Sequence, residues 1–307
     1  YEYKNNKGYK VSILYPVIDK LSVTIPVDPE DRKAIDEILM DIHKNEEDFS
    51  SVSDKKKRYK INTEWTDKKT GQKVLIQCQP VHAVNYLRFE LNPAKLGPAG
   101  MSRFKQMFEN SITVGNYPYS RVLKEGHIRR MDIAVDMINV TPHELIISGK
   151  GTGKSIKFLG KDSNELETVY LDKPQTKSSN KMVYNKLQEQ IDKGNEPSYN
   201  EVLHTRAEYN HEGAPFGNIP NIQNPFKKIT VINPVFVPEG GDDFVWHLFL
   251  NSCRLKGIEA SLSLLPTQLR GQYRKALEKA TEDTWQPEKL WEKWEDYLIK
   301  SKVLTND

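Results

Sequence analysis

The sequence predicts an α+β fold, with a mostly antiparallel central sheet, helices packed on one face of it and a helical C-terminal region. Three observations predict this. Apolar and polar residues alternate in short segments, as at Leu87, Phe89 and Leu91 or at Met131, Ile133, Val135 and Met137, the period of a strand with one buried face. Between such segments lie stretches of helical spacing, for example Ile35, Ile38, Leu39 and Ile42. Beyond Asp242 the alternation stops and helical spacing takes over.

Residues 20–27 read as a strand, and a helix over 29–43 follows the cap residue Asp28. Residues 58–66 and 73–80 read as a hairpin that turns at Lys68-Lys69-Thr70-Gly71. A strand over 86–91 ends at Asn92-Pro93, a helix spans 101–112, and Tyr117-Pro118-Tyr119 lies in an irregular stretch. After a strand over 128–137, Thr141 caps a short helix near 142–147, with Pro142 at its first position. Strands are expected at 155–159, 168–171, 181–186 and 202–209, with a helix beginning near Leu187. Residues 211–225 are rich in Gly, Pro and Asn, which marks a connector. Helices over 244–265, 268–280 and 287–303 complete the chain. The expected organisation is a domain over 1–210, a connector over 211–241 and a helical region over 242–307; a helical appendage packed on the sheet fits the same pattern.

At 307 residues, with 28% charged and 37% hydrophobic residues, the composition is that of a soluble globular protein. No apolar run approaches the roughly 20 residues of a membrane-spanning helix. The first residue is Tyr1, so a preceding segment is expected to be missing. Cys78 and Cys253 are far apart and cannot form a zinc site by themselves, which suits reduced thiols in a cytoplasm. Net charge is only +3, but lysines cluster at 55–58, 150–161 and 173–186. Such clusters suit an extended polyanion and equally a solvated surface.

One phrase, Arg-x-acid, recurs in the strands: Arg88-Phe89-Glu90, Arg130-Met131-Asp132 and Arg206-Ala207-Glu208, with Tyr184-Asn185-Lys186 between the last two. Residues i and i+2 of a strand share a face, so each phrase sets a cation beside a carboxylate. Cross-strand ion pairs on an exposed sheet face, worth about 0.2–1 kcal/mol each, are the ordinary explanation. Carboxylates clustered on neighbouring strands, however, repel unless a cation sits among them.

Other chemistries fail on spacing. Ser148 to Ser155 ends like a phosphate-binding P-loop, but Ser148 stands where the first glycine is required, and residues 156–159 read as a strand where a helix should open. The seven histidines include neither His-x-His nor His-Glu-x-x-His. A bound metal would fall to Glu90, Asp132 and Glu208, which as oxygen donors favour Mg2+ or Mn2+. Asp136 shares a face with Asp132, but four strand residues span about 13 Å, and ligand oxygens lie about 2.0–2.2 Å from such an ion. Asp136 is read instead as a strand-end or turn residue. Tyr184 alone would be a packing residue. Opposite a carboxylate-held metal it becomes a phosphate-attacking oxygen, because a phenol of pKa about 10 needs nearby cations to act.

In order and rough spacing these segments resemble the replication initiators of rolling-circle plasmids, the Rep trans family of strand-nicking endonucleases. The matching pieces are Arg88-Phe89-Glu90-Leu91-Asn92-Pro93, Arg130-Met131-Asp132-Ile133-Ala134-Val135-Asp136, Val183-Tyr184-Asn185-Lys186-Leu187-Gln188-Glu189 and Thr205-Arg206-Ala207-Glu208. The resemblance implies a divergent form of the nuclease fold that usually carries His-hydrophobe-His. It also implies that Tyr184 attacks one phosphodiester of the origin, becomes linked to the 5′ phosphate and leaves a 3′ hydroxyl primer. Glu90, Asp132 and Glu208 would then surround Mg2+ or Mn2+, while Lys186, Arg88, Arg130 and Arg206 steer or neutralise phosphate. The implied partners are plasmid origin DNA, single-stranded or cruciform at the nick, a host helicase and a second copy of the chain. Departures are a long segment over 116–126, Leu187 in place of a lysine, and C-terminal helices that match no element of the family. Two further readings stay open: an origin-binding protein or repressor without chemistry, and a phage strand-nicking protein.

Overall fold

The computed structural model describes residues 1–5, 8–53, 58–82, 86–113, 115–149, 155–161, 163–171, 181–194, 203–233 and 242–305. The chain opens with two short strands that the sequence pattern does not signal, β1 (Glu2–Lys4) and β2 (Lys10–Ile13). β3 (Val17–Ile25), α1 (Pro29–Asn45), β4 (Phe49–Ser51), β5 (Tyr59–Asp67) and β6 (Gln72–Pro80) follow. Asp28 does stand at the start of α1, but its carboxylate makes no cap; it pairs with Arg121 at 2.8 Å. Next come β7 (Leu87–Leu91), α2 (Pro93–Met107), a π turn over Phe108–Ile112, α3 (Tyr119–Glu125) and β8 (His127–Ile138).

The short helix expected near 142–147 is a single 3-10 turn, Pro142–Glu144, because Ile146–Gly149 continues as strand β9. β10 (Ile156–Leu159), β11 (Leu166–Tyr170), β12 (Lys181–Asn185), α4 (Lys186–Asp192) and β13 (His204–His211) lead to β14 (Ile229–Ile232), a strand inside the expected connector. The C-terminal helices are α5 (Asp243–Lys256), α6 (Ile258–Leu264), α7 (Thr267–Thr284), α8 (Pro287–Trp291) and α9 (Trp294–Lys300). The single helix expected over 244–265 breaks at Gly257, whose φ of 91° and ψ of 162° suit only glycine.

The residues fall into two compact units, each drawn from three stretches: Tyr1–Pro16, Ala134–Tyr209 and Asn224–Lys293 in the first, and Val17–Ile133, Asn210–Gln223 and Trp294–Asp307 in the second. In the second unit the strand order is β8 (residues 127–133), β3, β7, β6, β5, β4. Val23 pairs with Phe89, Ser22 with Glu90 and Gln77 with Arg88, all antiparallel. The apolar face, including Val23, Ile76 and Phe89, is buried. Phe89 meets Phe104 and Phe108 edge-on, with ring centres 5.1 and 5.7 Å apart, and such pairs add about 0.5–1.5 kcal/mol beyond their burial. Near the end of the chain, Tyr119 donates to the Val303 carbonyl at 2.9 Å and the buried Lys105 ammonium donates to the Thr305 carbonyl.

In the first unit the order is β10, β11, β12, β13, β8 (residues 134–138), with β2 also pairing β8. A separate pair, β9 with β14, places Ile147 opposite Val231. Ile146 and Ile232 pack with Trp246, Phe249, Tyr273 and Leu277 of α5 and α7, the core of the helical part. The α+β class expected from the sequence is the one observed.

Candidate functional site

In the second unit, strand alternation turns Leu87, Phe89 and Leu91 into the core and Arg88 and Glu90 to the other face. Arg88 is nonetheless buried, at 7% exposure, and a buried guanidinium must be fully hydrogen-bonded. Its Nε donates to Ser22 Oγ at 2.9 Å, and its terminal nitrogens donate to Gln77 Oε1 and to Glu90. Gln77 in turn donates to Asn62. Glu90 also accepts Lys20 at 2.6 Å. Burial pushes the Glu90 carboxyl up, but Lys20, Arg88 and Arg130 together outweigh it and hold it below the usual carboxylate range. On β8, Arg130 forks onto the buried Asp132 through Nε at 2.9 Å and Nη2 at 2.7 Å, and Asn210 donates to the same carboxylate at 2.7 Å.

In the first unit, β12 and β13 pair so that Tyr184 faces Arg206 and Met182 faces Glu208. The Tyr184 hydroxyl donates to Glu208 Oε2, one step along the neighbouring strand, at 3.0 Å. Burial pushes the Tyr184 phenol well above its ordinary range, and the Glu208 charge adds to this, while Arg206 opposes it. The strand stops at Asn185, because its side chain accepts the Gln188 N–H at 3.1 Å and caps α4. Lys186 therefore opens a helix instead of ending a strand. Its Nζ holds Glu189 at 2.7 Å and lies 5.7 Å from the Tyr184 ring centre.

Two of the three Arg-x-acid phrases pair as the sequence suggests, Arg88 with Glu90 and Arg130 with Asp132. The third does not. Arg206 forks onto Asp136 of β8 at 2.7 and 2.9 Å, which leaves Glu208 to Tyr184. Asp136, read as a strand-end or turn residue, lies within β8 and is the anchor of this group, with His204 Nε2 2.9 Å from it. Burial would raise its carboxyl, but His204 and Arg206 outweigh that and hold it far below the usual range. Sequence reasoning also missed Lys20, Ser22, Gln77, Asn62 and Asn210. A signal for two of them existed, since Lys20, Ser22 and Thr24 alternate with Leu21, Val23 and Ile25, but only the pairing of β3 with β7 brings them to Arg88 and Glu90.

Among the described residues no three His, Cys, Asp or Glu side chains gather into a group able to hold a metal ion. In the second unit Glu90 and Asp132 face ammonium or guanidinium groups, so as arranged this pair does not fit Mg2+ or Mn2+, and in the first unit Glu208 faces a hydroxyl. Residues 55–57, 150–154 and 173–180 of the lysine clusters lie outside the described residues. The segment after the P-loop-like stretch is strand β10, not the helix that a P-loop opens. Among the described residues no helix is long and apolar enough to cross a membrane.

No family model matches the chain, and no curated protein matches it. Among solved structures, the rolling circle replication initiator protein from Geobacillus stearothermophilus is similar to 68% of this chain and 78% of its own, at 15% identity and a TM-score of 0.39. The di-domain ARO/CYC BexL from the BE-7585A biosynthetic pathway aligns over 86% of this chain and 99% of its own, at 8% identity and a TM-score of 0.12.

Proposed function

We propose that this chain is a replication initiator that nicks one strand of origin DNA, with Tyr184 as nucleophile and Glu208 as the acceptor of its proton. The observation that carries the reading is the 3.0 Å hydrogen bond from the Tyr184 hydroxyl to Glu208. A nucleophile and a base within hydrogen-bond reach are what covalent catalysis requires. The need for a base is acute here, because burial and the Glu208 charge keep the phenol protonated at neutral pH.

In the proposed reaction the Tyr184 oxygen forms a bond to phosphorus as its proton passes to Glu208. The bond from phosphorus to the 3′ oxygen breaks, and that oxygen leaves as a hydroxyl after taking a proton from water. Arg206 and Lys186 offset the charge that develops on the phosphoryl oxygens. Asp136 and His204 keep the Arg206 guanidinium in place beside Tyr184. Arg88 and Arg130 belong to the reading as phosphate-facing cations.

The carboxylates already hold cations or a hydroxyl, so bond making and breaking are assigned to the side chains. A requirement for Mg2+ or Mn2+ is tested by nicking in EDTA against each metal. Plasmid origin DNA, a host helicase, a homodimer and a cytoplasmic setting enter on the strength of the motif order alone.

A supercoiled plasmid carrying the cognate origin, incubated with the protein and run on denaturing gels, tests the chemistry. Wild type is expected to give an open circle and a protein–DNA adduct that survives denaturation, and Tyr184→Phe neither. An adduct formed by the phenylalanine variant would remove Tyr184 from the mechanism. The internally paired Arg88 and Arg206 favour a second reading, a DNA-binding protein without chemistry; salt-dependent origin binding with no nick under any metal condition would establish it.

A further inference from the structure

The polar face of the second unit's sheet is hollowed into a pocket of about 570 Å³. Its volume is that of a small-molecule site and far too small for a duplex. Ser22, Tyr59 and Arg88 are its buried lining. Lys20 and Glu90, half-buried, form one side. Arg58, Arg129, Arg130 and Glu212 are exposed around it.

Five cationic side chains (Lys20, Arg58, Arg88, Arg129, Arg130) thus line the pocket against two carboxylates (Glu90, Glu212), an excess of three positive charges. Part of that charge is used internally, as Glu90 is shared by Lys20 and Arg88, and Arg130 holds Asp132. Arg129 has no ion-pair partner among the described residues. Concave cationic surfaces focus potential and concentrate anions. Guanidinium groups match phosphate oxygens in forked geometry.

We infer that this pocket binds the phosphate ester of a single nucleotide, supplied by single-stranded DNA. The choice of DNA as the source rests on the strand-nicking reading; the phosphate chemistry rests on the pocket alone. Arg129 and Arg58 would grip the phosphate at the mouth. Arg88, fixed by Ser22 and Gln77, would present a pre-organised positive charge from below, and Glu212 would set a negative limit to the grip.

The test is fluorescence anisotropy with a labelled single-stranded oligonucleotide, with inorganic phosphate, a 5′ mononucleotide and a duplex as competitors. Arg129→Ala and Arg58→Ala are each expected to weaken oligonucleotide binding about tenfold and to lower the salt slope by about 1. Glu212→Gln should strengthen binding, an effect that a purely structural role would not produce. All three side chains are exposed, so the variants should fold, and thermal melting checks this. The mononucleotide should compete better than phosphate, and the duplex poorly. Binding of a labelled 5′ mononucleotide without oligonucleotide binding would keep the phosphate chemistry and overturn the DNA source. Unchanged binding of every phosphate probe in the Arg58→Ala, Arg129→Ala double variant would overturn the pocket, whatever the nicking assay gives. Conversely, arginine-dependent binding without a Tyr184 adduct would overturn nicking and leave the pocket standing.

Discussion

Glu208 and Asp136 show how one neighbour decides a carboxylate's work. Two residues from Arg206, Glu208 had every local reason to pair with it, yet Asp136 takes the guanidinium and Glu208 accepts a hydrogen bond from the Tyr184 hydroxyl. Replacing Glu208 with Gln keeps the shape and removes the base, so the nicking rate should fall by about 10²–10⁴ while oligonucleotide binding in anisotropy changes little. A different pair, a partly exposed arginine on a buried aspartate, contributes to acid stability. Arg103 holds Asp67 at 2.7 Å through two nitrogens, and this pairing lowers the Asp67 pKa to about 2. The folded-state value lies below the unfolded one of about 3.9, so the contribution is present above pH 4 and is lost as pH falls toward 2. Arg103→Ala should lower the urea midpoint at pH 7, and midpoints for the variant should change less than wild type between pH 5 and pH 2.5. Of the candidate site, the pairs within one strand were legible because i and i+2 must share a face. The Arg206–Asp136 pair was not, because its partners lie on strands whose adjacency no local pattern states.

At the level of elements, the legible ones carry their own punctuation. The β5–β6 hairpin has alternation on both arms and a turn at residues 68–71 whose Gly71 takes a φ of 68°. The helix α1 begins with Pro29 in its first turn. By contrast β9, Ile-Ile-Ser-Gly, and β14, Ile-Thr-Val-Ile, are too short to show a period, and each is a strand only because the other pairs with it from far along the chain. The break between α5 and α6 depends on Gly257 alone, in a backbone region that a side chain cannot enter without strain. Gly257→Ala should cost about 1–3 kcal/mol, read as a lower urea midpoint with an unchanged m-value. Residues 244–265 looked like one helix because the apolar spacing continues across the glycine, and a φ angle leaves no mark in a hydrophobicity pattern.

For the molecule as a whole, each unit combines stretches from opposite ends of the chain. The second unit depends on residues 294–305, which lend carbonyl acceptors to Tyr119 and to the buried Lys105. Deleting residues 301–307 should leave that ammonium buried without those acceptors. The expected result is a clear drop in melting temperature or loss of soluble protein, since removing hydrogen-bond acceptors from a buried ammonium is costly. The class and most elements could be read from the sequence, but this interleaving could not, because it is a property of contacts between remote segments. During synthesis, β3 to β7 and their helices leave the ribosome long before the segment that closes them. Until residues 294–305 emerge, Tyr119 and Lys105 wait without their carbonyl acceptors, and a nascent chain released just before them carries an unfinished second unit beside the first.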